Sequence, residues 1–123
     1  MKPHVKALRK EFQSLVKNGY IKLDTNCAKC GVDATQCKQL ELHHKFALKD
    51  VDPQSDYNPN VEENVITLCN KCHKGYHVSY EGMDMDQWLT DVPLVEVYEK
   101  LQAYRDERTS YRLEQIKKHR GKH

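Results

Sequence analysis

The sequence predicts an α+β fold that is mainly helical. It comprises two short antiparallel strands and a helix around a four-cysteine structural zinc, with an N-terminal helix before them and a long C-terminal helix after. Three observations predict it. Apolar residues recur at helical spacing near both ends of the chain. Two β-rich runs, ending at His44 and beginning at Val65, flank a stretch rich in Pro, Asp, Asn and Ser. Two Cys-x-x-Cys pairs, Cys27/Cys30 and Cys69/Cys72, stand 38 residues apart, with histidines between them and directly after the second.

A chain of 123 residues with no shift in composition reads as one domain, its core at 27–80 and basic helical extensions at 1–23 and 90–123. Hydrophobic residues make up 38% and charged residues 31%, with two Phe and one Trp, so the core needs a staple. Five cysteines allow two disulfides and a spare. No apolar signal-peptide run opens the chain, so the expected compartment is reducing and cytoplasmic, and metal is the better staple. No apolar run reaches the roughly 20 residues of a membrane span, and no membrane role is expected.

Charge is unevenly placed. Residues 1–30 carry seven Lys/Arg against two acids, residues 31–99 five against thirteen, and residues 100–123 eight against three. Either basic arm alone reads as solvated helix surface. Two arms around a histidine site point to a polyanion partner, because Lys/Arg that neutralise phosphates release condensed counterions.

The elements follow in order. Residues 3–18 predict a helix: Pro3 suits its first turn, Val5, Leu8, Phe12, Leu15 and Val16 share a face, and Asn18-Gly19 stops it. Tyr20–Leu23 predicts a short strand leading into the first cysteine pair. Leu40 and Leu42 alternate into a strand that ends at His43-His44. Residues 49–60 predict a loop from their turn chemistry. Val65–Leu68 predicts the partner strand, and from Cys72 onward the pattern is helical. Met83–Leu89 predicts a short helical segment with Trp88 and Leu89 as core plugs. A long helix then starts near Pro93, with Leu94, Val97, Tyr98, Leu101, Tyr104 and Tyr111 at helical spacing beside Arg105, Arg108 and Arg112. Those tyrosines could stack on bases, but packing is the preferred reading. Residues 117–123 predict a frayed basic tail.

The cysteines carry the strongest signal. A two-residue spacer lets both sulfurs face one tetrahedral ion, and Gly31 permits the turn after the first pair. Repetition of the spacing at Cys69/Cys72 points to one structural zinc held by Cys27, Cys30, Cys69 and Cys72. Cys37 stands outside as a free thiol. His73 and His77 are four apart on the expected helix, so their imidazoles share a face and can reach one ion.

Taken together, Cys27-x-x-Cys30, His43-His44, Asn64, Cys69-x-x-Cys72-His73 and His77 resemble the HNH nucleases over about residues 27–80. The resemblance implies a ββα-metal fold and a metal-dependent endonuclease acting on DNA. It implies that His44 is the general base, that His43, His73 and His77 bind the catalytic metal, and that Asn64 braces the loop between the strands. Many relatives place Asp before the base. His43 here makes an all-imidazole set, compatible with Zn2+, Ni2+ or Mn2+ as well as Mg2+. The paired glycines common in the family's loop are missing. A small chain of this type is compatible with phage, mobile-element or restriction settings, with a protein partner supplying specificity. The alternative is a zinc-stabilised DNA-binding module without catalysis, or a protein-binding zinc scaffold.

Overall fold

The computed structural model describes residues 1–120. In chain order the elements are α1 (Pro3–Lys17), β1 (Leu40–His44), β2 (Val65–Cys69), α2 (Asn70–Ser79), α3 (Met85–Asp91) and α4 (Leu94–Arg120). Single 3-10 turns stand at Leu48–Asp50 and Glu62–Asn64. The chain divides into two compact units, Met1–His73 and Lys74–His123. The α+β, mainly helical class expected from the sequence is the one found.

In the first unit, α1 starts at Pro3, where a missing N–H costs nothing, and buries Val5. Its C-cap Asn18 is followed by Gly19 at φ +78°, a left-handed conformation that ends the helix at low cost. Tyr20–Leu23 forms no strand. Of this run only Ile21 is buried, while Tyr20 is 72% and Leu23 48% exposed, so it has no apolar face to lay on a sheet. The following segment is instead tied to β2 by two bonds: the Asp24 amide donates to Thr67 Oγ1 at 2.9 Å, and the Ala28 amide to the Thr67 carbonyl at 2.9 Å.

β1 and β2 pair antiparallel, with Leu40 opposite Cys69, Leu42 opposite Thr67 and His44 opposite Val65. Leu68 is fully buried, Thr67 and Cys69 nearly so, and β2 is thus the centre of this unit's core. Alternation along β1 sends Glu41 and His43 to one side and Leu42 and His44 to the other. α2 continues straight from β2 at Asn70, two residues before its expected start, so that Cys72 and His73 lie in its first turn.

The second unit packs around Trp88, which is fully buried against Tyr76 with ring centroids 5.1 Å apart. Asp84 caps α3 by accepting from the Gln87 amide at 3.0 Å. Leu89 is only partly buried, and Met85 fills the core position instead. Val97 and Leu101 anchor the start of α4, and Tyr80 donates to Glu96 Oε2 at 2.6 Å. Packing stops there. Tyr111 is 63% exposed and Leu113 55%, so the expectation that Tyr111 packs is corrected. Residues 117–120 are helical rather than frayed, because α4 runs on to Arg120, and the last three residues of the expected tail lie outside the described residues.

Candidate functional site

The four cysteines of the two pairs converge. Cys27 and Cys30 come from the turn before β1, Cys69 ends β2, and Cys72 opens α2. Their sulfurs all lie within 4.8 Å of one another. The Cys30 and Cys69 sulfurs are 3.7 Å apart, close to the roughly 3.8 Å edge of a tetrahedron with 2.3 Å metal–sulfur bonds. Each loop supports its sulfurs: the Cys30 amide points at Cys27 Sγ (3.5 Å) and the Cys72 amide at Cys69 Sγ (3.4 Å). Gly31, at φ +82°, donates to the Cys27 carbonyl at 2.9 Å and closes the first turn.

The thiols' acidities show what such a cluster demands. A hydrogen bond from Cys72 holds Cys27 down at about 4, whereas burial pushes Cys69 up to about 11, and the bond to Cys27 drives Cys72 upward as well. One thiolate is stable there and further ones repel it. A cation removes that conflict, so four converging sulfurs, three of them on buried cysteines, fit a structural zinc. Cys37 stays outside the cluster, its Sγ 3.3 Å from the Asp33 carbonyl.

A second constellation lies beside β1. His43 Nδ1 and His73 Nε2 are 3.1 Å apart, within the span of two nitrogens bound at about 2.1 Å to one ion. His77 stands one turn beyond His73 in α2, and the nearest nitrogens of the three rings all lie within 4.8 Å. His73 Nδ1 meets Glu41 Oε1 at 3.1 Å, so the carboxylate accepts its hydrogen and leaves Nε2 bare for a ligand role. Sequence reasoning missed Glu41. The available signal was its spacing of two from His43, which places both on one face of β1.

His44 takes the opposite face and does not join that cluster. Its Nε2 lies 2.9 Å from Asn60 Oδ1, and Phe12 of α1 meets its ring edge-on at a centroid distance of 4.3 Å. Burial lowers its pKa below 6.5, and the Asn60 bond opposes that only in part, so the ring favours its neutral form. Asn64 holds the loop after β1: its Oδ1 accepts from the Phe46 amide at 2.8 Å, and its Nδ2 donates to the carbonyls of Pro59 and Phe46 at 2.9 and 3.2 Å. The sequence offers Asn60 only as turn chemistry, yet it is 4% exposed, with both amide hydrogens and its oxygen in hydrogen-bond contact.

The architecture, two strands and a helix bearing histidines beside a four-cysteine cluster, has a counterpart among known families. Residues 25–79 match the HNH endonuclease family model. The matched segment takes in both cysteine pairs, His43, His44, Asn64, His73 and His77, and leaves out α1, α3 and α4. No curated protein and no solved structure matches the chain. The HNH match supports a nuclease-type function in general and, with the cysteine cluster, a metal-binding one. Among the described residues, no helix is long and apolar enough to cross a membrane.

Proposed function

We propose that the chain is a metal-dependent HNH endonuclease that hydrolyses phosphodiester bonds in DNA. The observation that carries this reading is the division of labour along β1: His43 turns to His73, while its neighbour His44 turns away, favours its neutral form and can take a proton. In the reaction, a water oxygen attacks phosphorus as its proton passes to His44. The bond to the 3′ oxygen breaks, and that oxygen leaves with a proton from solvent, giving a 5′ phosphate and a 3′ hydroxyl. His43, His73 and His77 would hold a divalent ion, Mg2+, Mn2+, Ni2+ or Zn2+, which when bound neutralises charge on the phosphoryl oxygens and the leaving oxygen. Glu41 orients His73 for that role, and Asn64 keeps the loop between the strands in shape.

DNA as substrate draws support from two basic surfaces, one in each unit. Lys6, Arg9 and Lys10 line a groove of ≈ 570 Å³ on α1. Lys74, Arg105, Arg108 and Arg112 line another of ≈ 520 Å³ with Tyr104, over whose ring Lys74 and Arg108 sit at 5.5 and 5.7 Å. Cations at such spacing suit a phosphate backbone and read no sequence, so a protein partner could supply specificity. The reading places the chain in a reducing, cytoplasmic setting, where the cysteines remain available to zinc.

The test is conversion of supercoiled plasmid to nicked or linear forms over a Mg2+, Mn2+, Ni2+ and Zn2+ series. Cleavage that requires one of these ions is expected. Salt-dependent DNA binding with no cleavage in any of them would replace this reading with that of a binding module.

A further inference from the structure

Asn60 has every side-chain bond assigned. Its Nδ2 donates to the Leu8 carbonyl at 2.9 Å and to Glu11 Oε1 at 3.1 Å, and its Oδ1 faces His44 Nε2 at 2.9 Å. The Leu8 carbonyl can only accept, and the Glu11 carboxylate oxygen accepts beside it, so both amide hydrogens are committed to α1. The atom facing the imidazole is therefore the oxygen. An oxygen that only accepts obliges His44 Nε2 to carry a hydrogen, and in a neutral ring the lone pair then belongs to Nδ1.

We propose that Asn60, held from behind by α1, is a positioning residue that fixes His44 as its Nε2–H tautomer and leaves Nδ1 as the nitrogen that takes the proton from water. This rests on the reading of His44 as the general base. Leu8, Glu11 and Phe12 occupy one face of α1, at spacings of three and four, and Phe12 restrains the same ring from its edge. α1 lies outside the HNH segment, so the N-terminal helix becomes a working part of the site. It explains why a buried Asn closes a loop whose exposed turns any polar residue could make.

The competing role for Asn60 is a pin that only ties the loop to α1. Asn60→Leu and Asn60→Asp separate the two, each made together with Glu11→Gln to spare a carboxylate pair and compared with Glu11→Gln alone. Both variants lose the amide donors, and only Asp keeps an oxygen for Nε2–H. Long-range proton–nitrogen NMR of nitrogen-15-labelled histidine reads the His44 tautomer directly, and plasmid cleavage at about pH 8 reads turnover.

The Nε2–H form is expected in the wild type, the reference and the Asp variant, with a mixture of tautomers in the Leu variant. Loss of an oriented base should lower kcat of the Leu variant by at least about tenfold with KM within about twofold, and Asp should recover most of that. An Nδ1–H tautomer in the wild type overturns the proposal, whether or not any variant folds. Equal losses in Leu and Asp with unchanged tautomers overturn it in favour of the pin. If even the wild type cuts no DNA, the nuclease reading fails, while the spectra still decide what Asn60 does to His44.

Discussion

Removing zinc from the cysteine cluster should unfold the first unit, and Cys72→Ser is the sharpest way to provoke it. Cys72 is fully buried, and Cys27 and Cys69 are 3% and 2% exposed, so the cluster is part of the core rather than an attachment to it. Structural zinc is worth about 10–16 kcal/mol of apparent binding free energy near neutral pH, which equals or exceeds the roughly 5–15 kcal/mol that holds a whole domain together. Loss of the metal therefore leaves no margin. The cluster also dictates how the effect varies with pH. Cys69, at about 11, and Cys72, pushed up by its bond to Cys27, both hold their protons at neutral pH and must give them up to bind zinc. Those two protons alone change zinc affinity by at least about a hundredfold, or ~2.7 kcal/mol, per pH unit, so zinc is held more weakly as the solution is acidified. The assay is a chelator titration read by circular dichroism at pH 6, 7 and 8, beside zinc analysis of the purified protein. Protein without zinc, or a melting curve indifferent to both the chelator and Cys72→Ser, would refute the reasoning.

Three other outcomes are expected. Replacing Arg105, Arg108 and Arg112 together by Ala should flatten the log–log salt dependence of DNA binding by about 2.7, at ~0.9 per phosphate contact, while kcat at saturation holds; an unchanged slope removes that groove from the interface. Because burial lowers the His44 pKa, the folded chain keeps the ring neutral below 6.5, and the acid limb of kcat/KM should fall below that value. The same shift means that the unfolded chain takes up the proton first as pH falls through 6.5, so this residue's contribution to stability is lost on acidification, and an acid limb above 6.5 would contradict the burial argument. Gly75→Ala would bring a methyl to 2.6 Å from Val97 Cγ1 in a filled core, costing about 1–3 kcal/mol against a helix-propensity gain of ~1, so Tm should drop; a Tm at or above the parent's would show that Val97 can move aside.

What the sequence made legible was what depends on short, rigid spacing. A Cys-x-x-Cys pair fixes where two sulfurs point almost regardless of its surroundings, and a spacing of four on a helix fixes a shared face, so both constellations could be read before any fold was known. The strand pair was legible for the same reason, through Leu40, Leu42 and the Val65–Leu68 run. Harder to read were the features that depend on a partner far away in sequence. Asn60 looks like one more turn former until α1 supplies Leu8 and Glu11 behind it, 52 and 49 positions away. Glu41 looks like a solvated strand residue until α2 brings His73 against it. Tyr20–Leu23 had the composition of a strand but no sheet edge to join. Tyr111 had the helical period of a packing residue on a helix that simply outruns its core.

The central claim is that His44 is a base set apart from the metal cluster, and single-turnover cleavage of DNA by wild type and His44→Ala at saturating divalent ion tests it most directly. A general base contributes roughly 10²- to 10⁴-fold, so the variant should lose at least about a hundredfold in rate while its zinc content and melting temperature stay those of the wild type. A His44→Ala protein that cuts DNA at the wild-type rate would contradict the account.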